Sequence, residues 1–115
     1  MNPVGQHLIA DLWGCQGLAD PAVVETALRR AVAAAGVTLL DLKLHHFGPQ
    51  QGVTGVALLA ESHISIHTWP EHGYAAVDIF LCGTSPASAA ALAELVAGLR
   101  AATTTQNLIP RGAPA

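Results

Sequence analysis

Residues 57–83 read ALLAESHISIHTWPEHGYAAVDIFLCG, an apolar run that breaks at Glu61-Ser62 and gives way to a polar, histidine-bearing run ending at a thiol. Side chains alternate across a strand with period two. In His63-Ile64-Ser65-Ile66-His67 both isoleucines therefore take one face and both histidines the other. One face packs, and the other is free to act. The strand spans 63–68 and is stopped at Trp69-Pro70-Glu71-His72-Gly73, because proline and glycine break a ladder. A second strand, Tyr74 to Cys82, returns beside it. A hydroxyl (Ser62), imidazoles (His63, His67), carboxylates (Glu71, Asp78) and a thiol (Cys82) all lie in these two runs.

Outward from this pair, Val53–Ala60 reads as a more fully buried strand, joined through the turn Gly48-Pro49-Gln50-Gln51-Gly52 to an alternating strand over 37–47. That alternation places Leu40, Leu42 and Leu44 on one face and Asp41, Lys43 and His45 on the other. Near the N-terminus, HLIADLW (7–13) followed by Gly14 reads as a further strand. Asp20-Pro21 supplies an N-cap and a first-turn proline for a helix ended by Gly36. Its packed face is Val24, Ala27, Leu28, Ala31, Val32 and Ala35. Ser85-Pro86 repeats the capping signal for a second helix packed through Leu92, Leu95, Val96 and Leu99. Thr103–Ala115 has no periodicity and is expected to be loosely held or partner-dependent. Two helices and about five short strands joined by tight turns predict an α+β fold: a two-layer sandwich with a largely antiparallel sheet covered on one face. The uncovered face would carry Asp41, His45, His63 and His67.

The chain has 115 residues, enough for a single domain (1–115) with a modest core. With 5 Lys and Arg against 8 Asp and Glu it has no basic footprint for a nucleic acid, and the mild negative balance suits a cationic small molecule better. No run approaches the roughly 18 apolar residues of a membrane span, and no leader pattern precedes the first strand. Cys15 and Cys82 form no CxxC motif and read as free thiols. A cytoplasmic protein is expected.

The residues allow more than one chemistry. His63, His67 and His72 with a carboxylate could ligate a metal, yet no HExxH or CxxC spacing is present and no metal is expected. Ser62, His67 and Asp78 could be drawn as a hydrolase triad, but without a G-x-S-x-G elbow to expose the serine. A half-buried strand with ordinary polar residues satisfies the same pattern.

The run AESHISIHTWPEHGYAAVDIFLCG, with HLIADLWGC near the N-terminus and FGPQQGVTG between them, resembles the bacterial and archaeal S-adenosylmethionine decarboxylases. The resemblance implies self-cleavage between Glu61 and Ser62, giving fragments 1–61 and 62–115, with Ser62 converted to a covalent pyruvoyl group. That ketone would form a Schiff base with the α-amine of S-adenosylmethionine and act as electron sink for decarboxylation, without an external cofactor. It also implies that His67 manages protons during processing, as imidazole does well near neutrality. Cys82 would return a proton to the decarboxylated carbon. Glu71 would hold the ribose hydroxyls, Phe47 would stack on adenine, and Trp69 would border the substrate.

Two departures from the family pattern stand in the loop before the third strand, commonly F-x-P-x-G-V-S. Here one residue is extra, and Thr54 replaces a serine that helps to orient the processing ester. Threonine keeps the hydroxyl but restricts χ1. The resemblance further implies a homodimer with shared active sites, Phe47 and Ser62 of one site coming from different chains. Two alternatives stand beside this reading. One is a pyruvoyl-dependent decarboxylase of free arginine or ornithine on the same fold, the other a non-catalytic metal- or ligand-binding dimer.

Overall fold

A computed structural model describes residues 3–82 and 86–112. In chain order the elements are β1 (Gly5–Trp13), α1 (Pro21–Ala35), β2 (Leu39–His46), β3 (Val53–Leu59), β4 (Ser62–Trp69), a 3-10 turn at Pro70–His72, β5 (Tyr74–Cys82), α2 (Ala87–Leu99) and β6 (Thr103–Arg111). The strands form one sheet in the order β2-β3-β4-β5-β1-β6, and every pairing is antiparallel. Hairpins build β2 to β5, and β1 joins the far side of β5.

Both helices pack against one face. There the alternating residues Leu8, Ala10 and Leu12 of β1, Ile64 and Ile66 of β4, and Ala75, Val77, Ile79 and Leu81 of β5 are buried with Val24, Leu28, Leu92, Leu95 and Leu99 of the helices. The expected α+β sandwich is therefore present. α1 begins as its sequence demands: Asp20 Oδ1 accepts from Ala22 N at 2.9 Å, Pro21 opens the first turn, and Gly36 closes the helix at φ 70°. In α2 the N-cap position is Pro86, with no side-chain cap. The capping expected of Ser85 lies outside the described residues.

Three expectations change. Leu40 does not share the Leu42 and Leu44 face: the register slips between Leu39 and Asp41, so Leu40 is the extra residue of a bulge and is 61% exposed, while Leu39 takes the inward place. β3 is not buried on both sides: Val53, Ala57 and Leu59 are inside, but Val56 and Leu58 face outward. Within the tail expected to be loose or partner-dependent, Thr103–Arg111 is a strand. β6 pairs with β1 along its whole length, from Trp13↔Thr103 to Gly5↔Arg111. All nine of its residues are exposed, so the backbone ladder is its main hold, and its side chains leave no apolar period to read.

Candidate active site

On the face away from the helices, alternation and register set out the polar side chains in rows. His63 opposes Phe80, Ser65 opposes Asp78, Trp69 opposes Tyr74, and Thr54 opposes His67. His45, His63 and His67 thus share the open face as anticipated. They do not converge into one site, however, because the chemistry-bearing residues gather at two ends of the sheet.

One end is the β3–β4 hairpin. Its two loop residues are Ala60 and Glu61, with Leu59 paired to Ser62. Glu61 is held at φ 69°, a left-handed conformation that costs an L residue roughly 1–2 kcal/mol. Cys82 closes β5 alongside, and its Sγ donates to the Glu61 carbonyl oxygen at 3.1 Å. The Glu61–Ser62 peptide bond therefore combines a strained acyl residue, a thiol on its carbonyl and a half-buried serine hydroxyl on the next residue.

The other end is a cleft of about 260 Å³ lined by Phe47, Gln51, Gly52, His67, Thr68, Trp69 and Glu71. The 47–52 loop is tied down by Phe47 N to Gly52 O at 3.1 Å and Gln51 N to Gly48 O at 2.9 Å. Buried Thr68 fastens it to β4: its Oγ1 accepts from Val53 N at 2.8 Å and donates to Leu18 O at 2.8 Å. Gly52 is required by this approach, since a Cβ there would collide with the Thr68 carbonyl oxygen. Phe47 is 55% exposed; among the described residues its ring makes a T-shaped contact with His45 (centroids 4.6 Å) and lies nearly parallel to His67 at 6.2 Å. More than half of the side chain is open to a ligand. Glu71 sits in the 3-10 turn created by Pro70 and ended by Gly73 at φ 60°.

Ser62 and His67 lie on one strand five residues apart, so about 16 Å of extended backbone separates the hairpin from the cleft. His67 cannot reach the Glu61–Ser62 bond of its own chain. The hydrolase triad is not assembled for the same reason, and Asp78 is engaged elsewhere: it lies 3.1 Å from His7 Nε2 and accepts from Ser65 Oγ at 3.5 Å. Among the described residues no group of three His, Cys, Asp or Glu converges to hold a metal ion.

Sequence reading missed several members of this face. His7, Asp11 and Trp13 alternate along β1 with the buried Leu8, Ala10 and Leu12, a signal available in HLIADLW. Tyr74 Oη donates to Asp11 Oδ1 at 2.6 Å. That bond, then burial, then the charges of Asp11 and Asp78 push the phenol up to about 12. Arg111, from the strand that was not anticipated, donates to His7 Nδ1 at 3.3 Å and lies over the Phe80 ring. Cys15, away from this face, is half-buried, and burial pushes its thiol up.

A sequence profile of the family described as S-adenosylmethionine decarboxylase matches residues 6–112. The S-adenosylmethionine decarboxylase proenzyme of Thermomicrobium roseum is 54% identical over 91 residues, which cover 77% of this chain and 78% of that protein. The proenzyme of the same name from Methanococcus vannielii is 61% identical over 85 residues, covering 72% of this chain and 69% of that protein. The crystal structure of the adenosylmethionine decarboxylase from Aquifex aeolicus superimposes with a TM-score of 0.91 at 34% identity, over 100% of this chain and 96% of that one. With sequence and fold in agreement over nearly the whole chain, the protein belongs to the S-adenosylmethionine decarboxylase family.

Proposed function

We infer that the protein is a pyruvoyl-dependent S-adenosylmethionine decarboxylase, cut by itself at Glu61–Ser62 into fragments 1–61 and 62–115 and active as a homodimer. The observation that carries this reading is the thiol of Cys82 on the carbonyl of Glu61, a residue held in a left-handed turn immediately before Ser62.

The residues present fit formation of the group. Ser62 Oγ attacks the Glu61 carbonyl carbon and the C–N bond breaks, so the amide becomes an ester. Cys82 S–H, already directed at that oxygen, stabilises the negative charge that develops there. Opening the turn also relieves the backbone strain at Glu61. Loss of the Ser62 α-proton with departure of the Glu61 carboxylate, then hydrolysis with release of ammonia, leaves a pyruvoyl group at position 62. When formed, that group supplies an electron sink for decarboxylation of an α-amino acid. Cys82 stands beside position 62 to deliver the proton that replaces carbon dioxide.

The cleft supplies recognition. Phe47 offers its exposed ring to adenine, and Glu71 offers two acceptor oxygens to the ribose hydroxyls. At about 260 Å³ the cleft is smaller than the roughly 300–1,000 Å³ of complete small-molecule pockets. It suits half a site. Twofold packing of two open faces brings the cleft of one protomer to the hairpin of the other, which also allows His67 to serve the Ser62 of the second chain. Thr54, opposite His67, contributes a hydroxyl beside the imidazole. No described helix is long and apolar enough to cross a membrane, and two unpaired cysteines, one of them exposed, fit the reducing cytoplasm.

The test is the mass of the denatured protein together with carbon dioxide release from carboxyl-labelled substrates. Two fragments with turnover of S-adenosylmethionine, inhibited by methylthioadenosine-like compounds, are expected. An uncut chain that is nonetheless active, or turnover of free arginine or ornithine indifferent to such compounds, overturns this assignment.

A further inference from the structure

His67 is exposed on the open face, and no hydrogen bond from another described residue orients its imidazole. Its ring is nevertheless stacked on Trp69, with centroids 4.1 Å apart and planes only 4° from parallel. Trp69 stacks in turn on Tyr74 at 5.1 Å and 20°, and Tyr74 on Trp13 at 4.4 Å and 24°. The row is pinned at Tyr74, whose hydroxyl donates to the Asp11 carboxylate at 2.6 Å. It crosses β4, β5 and β1, so three strands of the sheet brace a side chain that otherwise projects into solvent.

Trp69 lines the cleft, and a substrate-stacking role is the obvious alternative. The rings count against it. His67 and Tyr74 lie nearly parallel to the indole and make no ring contact with each other, which leaves them its two faces. A purine has no face of Trp69 to stack on, whereas Phe47 is 55% exposed.

We propose that Trp69 is a positioning residue: braced by Tyr74, which Asp11 anchors, it sets the plane of the His67 imidazole and makes no stacking contact with substrate. This rests on the reading that His67 handles the proton in self-cleavage. An aromatic stack of ordinary strength favours the stacked rotamer roughly two- to tenfold over an unstacked one. Loss of the indole therefore slows a step that needs a fixed imidazole by a factor of that order.

The experiment uses Trp69→Leu, Trp69→Phe and Tyr74→Phe. Self-cleavage is followed by intact mass during cell-free synthesis, and kcat and KM are measured on the matured enzymes. The His67 ring protons are observed by NMR in the uncut Ser62→Ala background, where the indole ring current marks the stack. Trp69→Leu is expected to cleave roughly two- to tenfold more slowly, with KM within about twofold of wild type and the His67 resonances moved towards free histidine. Trp69→Phe should restore most of both the rate and the ring-current shift, and Tyr74→Phe should fall between. A raised KM with unchanged cleavage in either Trp69 variant, or His67 resonances that do not move on loss of the indole, overturns the proposal. Should Trp69→Leu fail to fold, Trp69→Phe and Tyr74→Phe decide by the same readings. If the wild-type chain itself never cleaves, the functional reading fails, while the His67 resonances still report on the stack.

Discussion

Cys82 Sγ lies 3.1 Å from the carbonyl oxygen of Glu61, at the end of a strand that runs antiparallel to the one beginning at Ser62. Under the proposed function, one thiol is thereby within reach of two chemical events, the opening of the Glu61–Ser62 bond and the later delivery of a proton beside position 62. Its share in the two differs. Cys82→Ala should still mature, slowed by no more than about tenfold because a thiol is a weak donor, but lose most of its turnover. Ser62→Ala should neither cleave nor turn over. Time courses of intact mass beside kcat of the matured fraction check both. Full turnover by Cys82→Ala would remove the thiol from the decarboxylation step.

The separation of Ser62 from His67 along β4 makes a prediction about trans action. His67→Ala alone should stall uncut, and Ser62→Ala cannot be cut. Co-expressed and recovered as heterodimers, the His67→Ala chain should be cut, because the Ser62→Ala chain brings an intact His67 to it. An uncut His67→Ala chain in proven heterodimers would mean that His67 serves only its own chain.

A second mixing experiment addresses the substrate. Ser62→Ala and Phe47→Ala are each expected to be inactive, while their heterodimers should regain roughly a quarter to half of wild-type turnover, since one of the two sites in a twofold pair escapes both changes. No recovery despite chain exchange confirmed by mass would place Phe47 and Ser62 in a site within one chain.

Gly52→Ala should destabilise the protein by about 2 kcal/mol or more, because the added methyl meets the Thr68 carbonyl oxygen, a backbone atom that cannot swing aside. The damage should be local as well. The loop that carries Phe47 and Gln51 loses its seat against β4, so KM is expected to rise in whatever fraction folds. Thermal unfolding and steady-state kinetics test the two effects separately.

Tyr74 is the one tyrosine in the chain, which makes its ionisation directly visible by ultraviolet absorbance. Its phenol is pushed up to about 12, first by the hydrogen bond to Asp11, against about 10 in the unfolded chain. The neutral form is favoured by folding, so the associated stability is complete below about pH 10 and is lost as pH rises towards 12. Absorbance of the native protein should show little phenolate at pH 10.5, where the denatured protein is mostly ionised. Asp11→Asn should bring the native titration down.

Particular elements show which features were legible. Alternation in HISIH and the turn at WPEHG sufficed for the β4–β5 hairpin, because burial of Ile64 and Ile66 on one face repeats with the pitch of the strand itself. Asp20-Pro21 and Gly36 bounded α1 through local hydrogen bonding and backbone preference alone. Leu40 deceived because a bulge shifts the alternation by one residue, and nothing in LLDLKLHH marks where the pairing slips. β6 was illegible because its order comes from the β1 backbone and the Arg111 contacts, while its exposed side chains carry no apolar period.

For the site, the sequence by itself determined the inventory: Glu61 and Ser62 at a strand start, His67 and Glu71 around a proline turn, Cys82 at a strand end, and the family motif that joins them. Those are properties of near neighbours, written in spacing and residue type. Only the tertiary structure decided the distribution. Pairing of β4 with β5 carries Cys82 to the Glu61 carbonyl across 21 residues of chain, whereas the rigid rise of β4 holds His67 away from Ser62 although only four residues intervene. Extended backbone separates residues that are close in sequence, and antiparallel pairing joins residues that are distant in it. That is why one chain carries the hairpin and the cleft at opposite ends of β4.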